Sequence, residues 1–125
     1  MRELRVIVTV PPSEITIEFD GKERRETLRV TESVPSLVKC ITRLSNPAPA
    51  ISWRLGGREL PSANQSEEAE VGVRGKVRTV AVLEHEFREE DLGQALECLV
   101  SHPAYSDGTT QSRALTLDVL CKSDN

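Results

Sequence analysis

Residues Cys40 to Leu60 read CITRLSNPAPAISWRLGGREL. The only tryptophan of the chain, Trp53, follows a cysteine across a turn broken by Pro47 and Pro49. Ile51, Trp53 and Leu55 alternate with polar residues until Gly56-Gly57, so the tryptophan lies on the apolar face of a short strand. Upstream, Val34 to Leu44 reads as another strand, with Val38, Cys40 and Leu44 on one face. A ring as large as indole is best used where it fills a core, and a cysteine on the preceding strand marks where that core sits.

The same pattern extends in both directions. Leu4-Val6-Val8-Val10 alternates and stops at Pro11-Pro12, and Ile15-Ile17-Phe19 alternates and stops at the turn dipeptide Asp20-Gly21. Leu28-Val30 is brief and Val71-Val73 is weak. Thr79 to Leu83 is apolar enough that neither parity stands out. Leu96-Cys98-Val100 and Leu115-Leu117-Val119 alternate cleanly, with a tight-turn signal at Ser106 to Thr109 between them. Nowhere do apolar residues keep a helical spacing over three turns. The closest stretch, His85 to Leu92, suffices for one turn. Many short strands with frequent turns predict an all-β antiparallel sandwich or barrel.

Composition agrees. The chain has 125 residues, 38% hydrophobic, and its rings are limited to Phe19, Trp53, Phe87 and Tyr105. The core must therefore be built from Val, Leu and Ile, which favour pleated sheet. The net charge is −4, which argues against nucleic acid as a partner. Lys22, Arg24 and Arg25 cluster, but Glu23 and Glu26 interleave with them, and the run reads as a solvated loop. No stretch reaches the length of a membrane span. The first residues carry Arg2, Glu3 and Arg5 and do not form a secretory leader.

Cys40 and Cys98 both sit mid-strand on apolar faces, and cysteines on facing strands of a sandwich can bridge the two sheets. The set Cys40, Trp53, Asp91-x-Gly93 and Cys98, in that order and spacing, resembles the immunoglobulin superfamily. Glu32 ahead of Val34, Val38 and Cys40 is similar to the start of that family's strand B. Leu115, Leu117 and Val119 are similar to its strand G. The resemblance covers residues 13–120. It implies an immunoglobulin-like two-sheet β-sandwich with Greek-key connections, a Cys40–Cys98 disulfide and Trp53 packed beside it. The family often places Tyr two residues before the second cysteine. Leu96 stands there instead, so the E–F corner needs other groups, and Asp91 paired with Arg74, Lys76 or Arg78 is the candidate. Leu96 in that place, Asn46 to Pro49 and the run Cys98 to Ala104 resemble constant-like or intermediate-set domains of adhesion receptors of the nephrin and nectin kind.

The resemblance also orders the rest of the chain. Residues 1–12 are expected to be the tail of a preceding domain or a linker, with a first strand of the domain itself as the alternative. Residues 13–120 form the domain and 121–125 a C-terminal tail. Cys121 is left over as a free or intermolecular thiol. Asn64-Gln65-Ser66 is a glycosylation acceptor in a polar stretch, Ser62 to Glu70, expected to be an exposed connection.

No catalytic or metal site is expected. Glu84, His85 and Glu86 lack the two-histidine helical spacing of a zinc protease, and no glycine-rich phosphate loop or nucleophile elbow is present. No cofactor is implied. The resemblance implies an extracellular module of a cell-membrane adhesion or recognition receptor. Its partners would be a homophilic or heterophilic immunoglobulin-superfamily receptor and neighbouring domains of its own chain, with no direct membrane contact. The alternatives are an intracellular structural domain of the giant muscle-protein type and a non-catalytic module of a secreted protein.

Overall fold

The computed structural model describes residues 9–61, 64–69, 75–106 and 109–121. Among the described residues ten strands form two five-stranded sheets. They are β1 (Ile15–Phe19), β2 (Lys22–Arg24), β3 (Thr27–Thr31), β4 (Pro35–Ser45) and β5 (Ala50–Leu55), then β6 (Arg58–Glu59), β7 (Asn64–Ala69), β8 (Val77–Glu86), β9 (Ala95–Ser101) and β10 (Gln111–Leu120). A 3-10 turn, Glu89–Asp91, lies between β8 and β9. One sheet runs β2-β1-β4-β8-β7 and the other β3-β10-β9-β5-β6. The chain changes sheet between β2 and β3, β3 and β4, β4 and β5, β6 and β7, and β8 and β9, which makes a sandwich and not one open sheet. All pairs are antiparallel except β3 with β10, which run parallel.

Two tight turns follow directly from sequence. Asp20 and Gly21 both take positive φ, as do Gly56 and Gly57, and each pair joins adjacent antiparallel strands. Such turns match the right-handed twist of the strands and need residues that tolerate positive φ.

The core lies between the sheets. Ile17, Val38, Cys40, Ala81 and Leu83 of the first sheet face Leu28, Trp53, Leu55, Leu96, Cys98, Val100, Leu115 and Leu117 of the second. Alternation therefore located most of the inward positions. The register settles the ambiguous run at Thr79 to Leu83. Ala81 pairs with Cys40, so Thr79, Ala81 and Leu83 point inward and Val80 and Val82 point out.

The structure departs from the sequence reading in four places. Lys22 to Arg24 is a strand, not a loop. It pairs with β1, and the Arg24 guanidinium donates to Phe19 O at 3.1 Å. The polar stretch around Asn64 is an edge strand paired with β8 over Asn64–Ala69. An edge strand needs only backbone partners, so the apolar alternation that betrays an inner strand is missing. The Gln65 side chain secures it to the other sheet, accepting from Ile51 N at 3.2 Å and donating to Pro49 O at 2.8 Å. Leu44 leaves the face of Val38 and Cys40. The register shifts between Thr42 and Ser45, Leu44 takes φ 58°, and Ser45 is buried instead. Finally, β3 and β10 run parallel in a sandwich expected to be wholly antiparallel.

Val10 pairs with Asn46 through two backbone hydrogen bonds of 2.7 and 2.9 Å. The rest of the alternating segment at Leu4 to Val8 lies outside the described residues, as do Val71, Val73 and Arg74.

Candidate functional site

Four regions of the sandwich carry the chemistry of interest: its centre, one sheet face and its two ends. At the centre Cys40 of β4 and Cys98 of β9 are joined by a disulfide, with Cα atoms 6.4 Å apart. That spacing is ordinary for a bridge between stacked strands. Trp53 stands directly opposite Cys98 in the β5–β9 ladder, and both are buried. Leu96 is fully buried two residues earlier on β9, opposite Leu55 on one side and Leu115 on the other. With an apolar neighbour on each side in its row, Leu96→Ala is expected to cost about 3 kcal/mol, as buried leucine truncations do. Urea denaturation checks this, and a loss below about 0.5 kcal/mol would contradict the register.

The E–F corner is held by Asp91, which is buried. Its Oδ2 accepts the Arg88 N–H at 2.8 Å, and its own N–H donates to Arg88 O at 2.9 Å. A carboxylate accepting a backbone amide at the start of a 3-10 turn does locally what a tyrosine hydroxyl does at long range. Among the described residues Asp91 thus bonds to the backbone of Arg88, while Arg74, one of the cations expected from sequence to pair with it, lies outside the described residues.

Along β5, β9 and β10 the outward side chains are mostly small. Ser52, Leu99 and Ser112 make one row across the sheet, and Arg54, Glu97 and Ala114 the next. Arg54 and Glu97 are opposite charges on neighbouring strands, a favourable cross-strand pair. Leu99 is half-buried at the middle of a face with little relief. The family resemblance favours the sheet that carries Trp53 as the binding sheet, but no residue pattern marks its outer face, because outward residues of an exposed sheet follow no apolar pattern.

At one end the turn between β4 and β5 and the loop after β9 are tied together by His102. Its Nδ1 accepts the Ala104 N–H at 3.1 Å, so the proton sits on Nε2, which donates to Pro47 O at 2.9 Å. His102 is buried by this arrangement, and Tyr105 packs near it with ring centroids 5.8 Å apart. Burial pushes the Tyr105 phenol above its ordinary pKa. At the opposite end Cys121 follows β10 as an exposed free thiol. The Glu89 carboxylate, some burial and the Glu32 carboxylate push it above the usual thiol range, so little of it is thiolate at neutral pH. The backbone of Asn64 pairs with Val82 on the edge strand. Its side chain is outside the described residues.

Comparison with known proteins places this geometry. The family model of the CD80-like C2-set immunoglobulin domain matches residues 23–108. The chain belongs to that family. Rat (Rattus norvegicus) nephrin is similar to this immunoglobulin domain at 33% identity over 118 residues, which cover 94% of the chain. The chain spans 9% of the length of that relative. Among solved structures, the ectodomain of mouse nectin-like molecule 4 superposes with TM-score 0.71 at 17% identity, over 88% of this chain and 34% of that one. Rst D1-D2 superposes with TM-score 0.72 at 19% identity, over 89% of this chain and 50% of that one. The immunoglobulin domain is thus related to nephrin and shares its fold with nectin-like adhesion receptors. Among the described residues no helix is long and apolar enough to cross a membrane.

Proposed function

We propose that this immunoglobulin domain is an extracellular module of a cell-surface adhesion or recognition receptor, and that it binds protein partners without catalysis. The observation that supports this reading best is the outer face of β5, β9 and β10. Ser52, Ala95, Ser112, Ala114 and Thr116 leave it flat, the half-buried Leu99 gives it an apolar centre, and Arg54 beside Glu97 gives it charges of both signs. A flat face of this kind suits a broad protein contact better than a small ligand, which needs a concave pocket. Its partner is a second immunoglobulin-superfamily receptor, of the same or a different kind. The Cys40–Cys98 disulfide is at home in an oxidising compartment, and Asn64 would carry a glycan there.

One substitution tests the face. Leu99→Asn, together with Val100 and Ser101, completes an N-glycosylation acceptor sequence in the middle of it. The chain is secreted from a eukaryotic cell, coated on beads and presented to a panel of immunoglobulin-superfamily ectodomains that includes itself. Glycosylated Leu99→Asn should lose any binding shown by the unsubstituted chain. Binding that survives the glycan would rule this face out. In the same secreted chain, glycosidase treatment should lower the mass by one N-glycan, and Asn64→Gln should abolish that shift. No mass shift in the unsubstituted chain would count against the extracellular reading.

A further inference from the structure

His102 is only 5% exposed, and the bonds of its ring select one protonation state. Ala104 N–H reaches Nδ1 at 3.1 Å, and Nε2 lies 2.9 Å from Pro47 O. A backbone amide only donates and a carbonyl only accepts, so Nδ1 must be a bare acceptor and Nε2 must carry the hydrogen. That is the neutral imidazole. The protonated ring has two donors and no acceptor. A hydrogen on Nδ1 would point at the Ala104 N–H, donor against donor. The loop after β9 would then lose the bond that folds Ala104 back onto the ring.

The surroundings give a charged ring nothing in exchange. The turn between β4 and β5, the end of β9 and the loop after it bring Ala48, Ala50, Ser101, Pro103, Tyr105 and Thr109 around the hollow beside His102. None of these side chains is charged at neutral or acidic pH. Tyr105 is the titratable one, and burial pushes its phenol up, away from the acidic range. A buried cation without an anion is costly. The ring avoids that cost by turning out into water, which also breaks the bond to Pro47 O. His85, the other histidine, is placed differently. It lies edge-on to Phe87 and lines a depression with Glu84, Glu86 and Glu90, so a proton gained there meets carboxylates.

We propose that His102 is a pH-operated latch, which when neutral closes the loop after β9 onto the turn between β4 and β5 and when protonated releases them and uncovers Tyr105. Imidazole gains its second proton between about pH 5 and 8. The direction is fixed by the bond at Nδ1, which exists only in the neutral ring: the latch is shut at neutral pH and opens as the pH falls. The turn side is braced, since Asn46 pairs with Val10 through two backbone hydrogen bonds. The loop after β9 is therefore the part that moves, while the disulfide and the β5–β9 ladder stay in place. On an extracellular module, as read above, the latch separates the neutral cell exterior from an acidified endocytic compartment. The latch itself depends neither on that reading nor on the face around Leu99.

Amide hydrogen exchange followed by NMR at about pH 7.5 and about pH 5 tests this, each rate being compared with that of an unstructured peptide at the same pH. Ala104 should be protected at the higher pH, and its protection should fall at least about tenfold at the lower one. The Cys98 amide, in the middle of β9, should keep its protection at both. His102→Asn should remove the pH dependence, because asparagine offers an acceptor oxygen to the amide two residues on and gains no proton. His85→Asn should leave the pH dependence intact. Equal protection of Ala104 at the two pH values in the unsubstituted chain would overturn the proposal, as would a pH dependence that survives in His102→Asn. A parallel loss at Cys98 would overturn it too, since the whole domain would then be opening. The binding experiment with glycosylated Leu99→Asn is read at neutral pH, so the latch and the sheet face stand or fall separately.

Discussion

Replacing Cys40 and Cys98 together with alanine should lower the free energy of unfolding by about 4 kcal/mol. The two residues are 58 positions apart, and closing a loop of that length removes about this much chain entropy from the unfolded state. Both sulfur atoms are fully buried between the sheets, so alanine also leaves a small void where they met. A domain of this size has roughly 5–15 kcal/mol of net stability, so the bridge is a large share of it. Nothing on the surface approaches that. The Arg29–Asp118 ion pair, at 2.9 Å, is largely exposed on the arginine side, and such pairs contribute about 0–1 kcal/mol. Urea denaturation of the oxidised chain, the reduced chain and the double variant measures the difference. A loss below about 1 kcal/mol would mean that the packing of the two sheets carries the fold without the bridge.

Trp53→Ala should cost about 3–5 kcal/mol, in the range of large-to-small aromatic truncations. Trp53 is the largest buried side chain and lies against the disulfide. Removing it opens a cavity that neither Cys98 nor the neighbouring Leu55 and Leu96 can fill without shifting the ladder. Trp53→Phe should behave differently. The indole Nε1 is buried and meets no acceptor among the described residues, and an unmet buried donor costs roughly 1–3 kcal/mol. Phenylalanine gives up ring area but removes that donor, so its net cost should stay below about 2 kcal/mol. Chemical denaturation of the two variants side by side separates volume from polarity. Equal losses for both would show that the indole nitrogen is satisfied in solution and contributes to the core.

These two expectations involve residues that the sequence itself points to. Cys40, Trp53 and Cys98 stand out because their side chains are large, scarce or reactive, and because each sits in phase with an apolar alternation. Period two is a local property, so strands buried on one face, such as β5, β9 and β10, are legible from their own residues. Asp20-Gly21 and Gly56-Gly57 are legible for a similar reason, since a tight turn with positive φ limits which residues can occupy it.

Other features had to wait for the tertiary structure because their causes are not local. Strands β2 and β7 are held by backbone pairing with a neighbour, and their polar side chains carry no trace of it. The inward parity of Thr79 to Leu83 depends on the β4–β8 register, which places Ala81 opposite Cys40. The parallel pairing of β3 with β10 depends on a chain that changes sheets around Arg25 and Glu26. Asp91 was legible as part of the E–F corner, but its partner was not, because the Arg88 amide becomes available only once the 3-10 turn has formed. The flat face around Leu99 and the tie of His102 to Pro47 join residues far apart in the chain. Sequence by itself determined an all-β chain of short strands, because core burial leaves a periodic record, and its resemblance to the immunoglobulin superfamily implied the sandwich and the Cys40–Cys98 bridge. Which surfaces remain free for partners was decided only in three dimensions, since exposure is defined by what does not cover a residue.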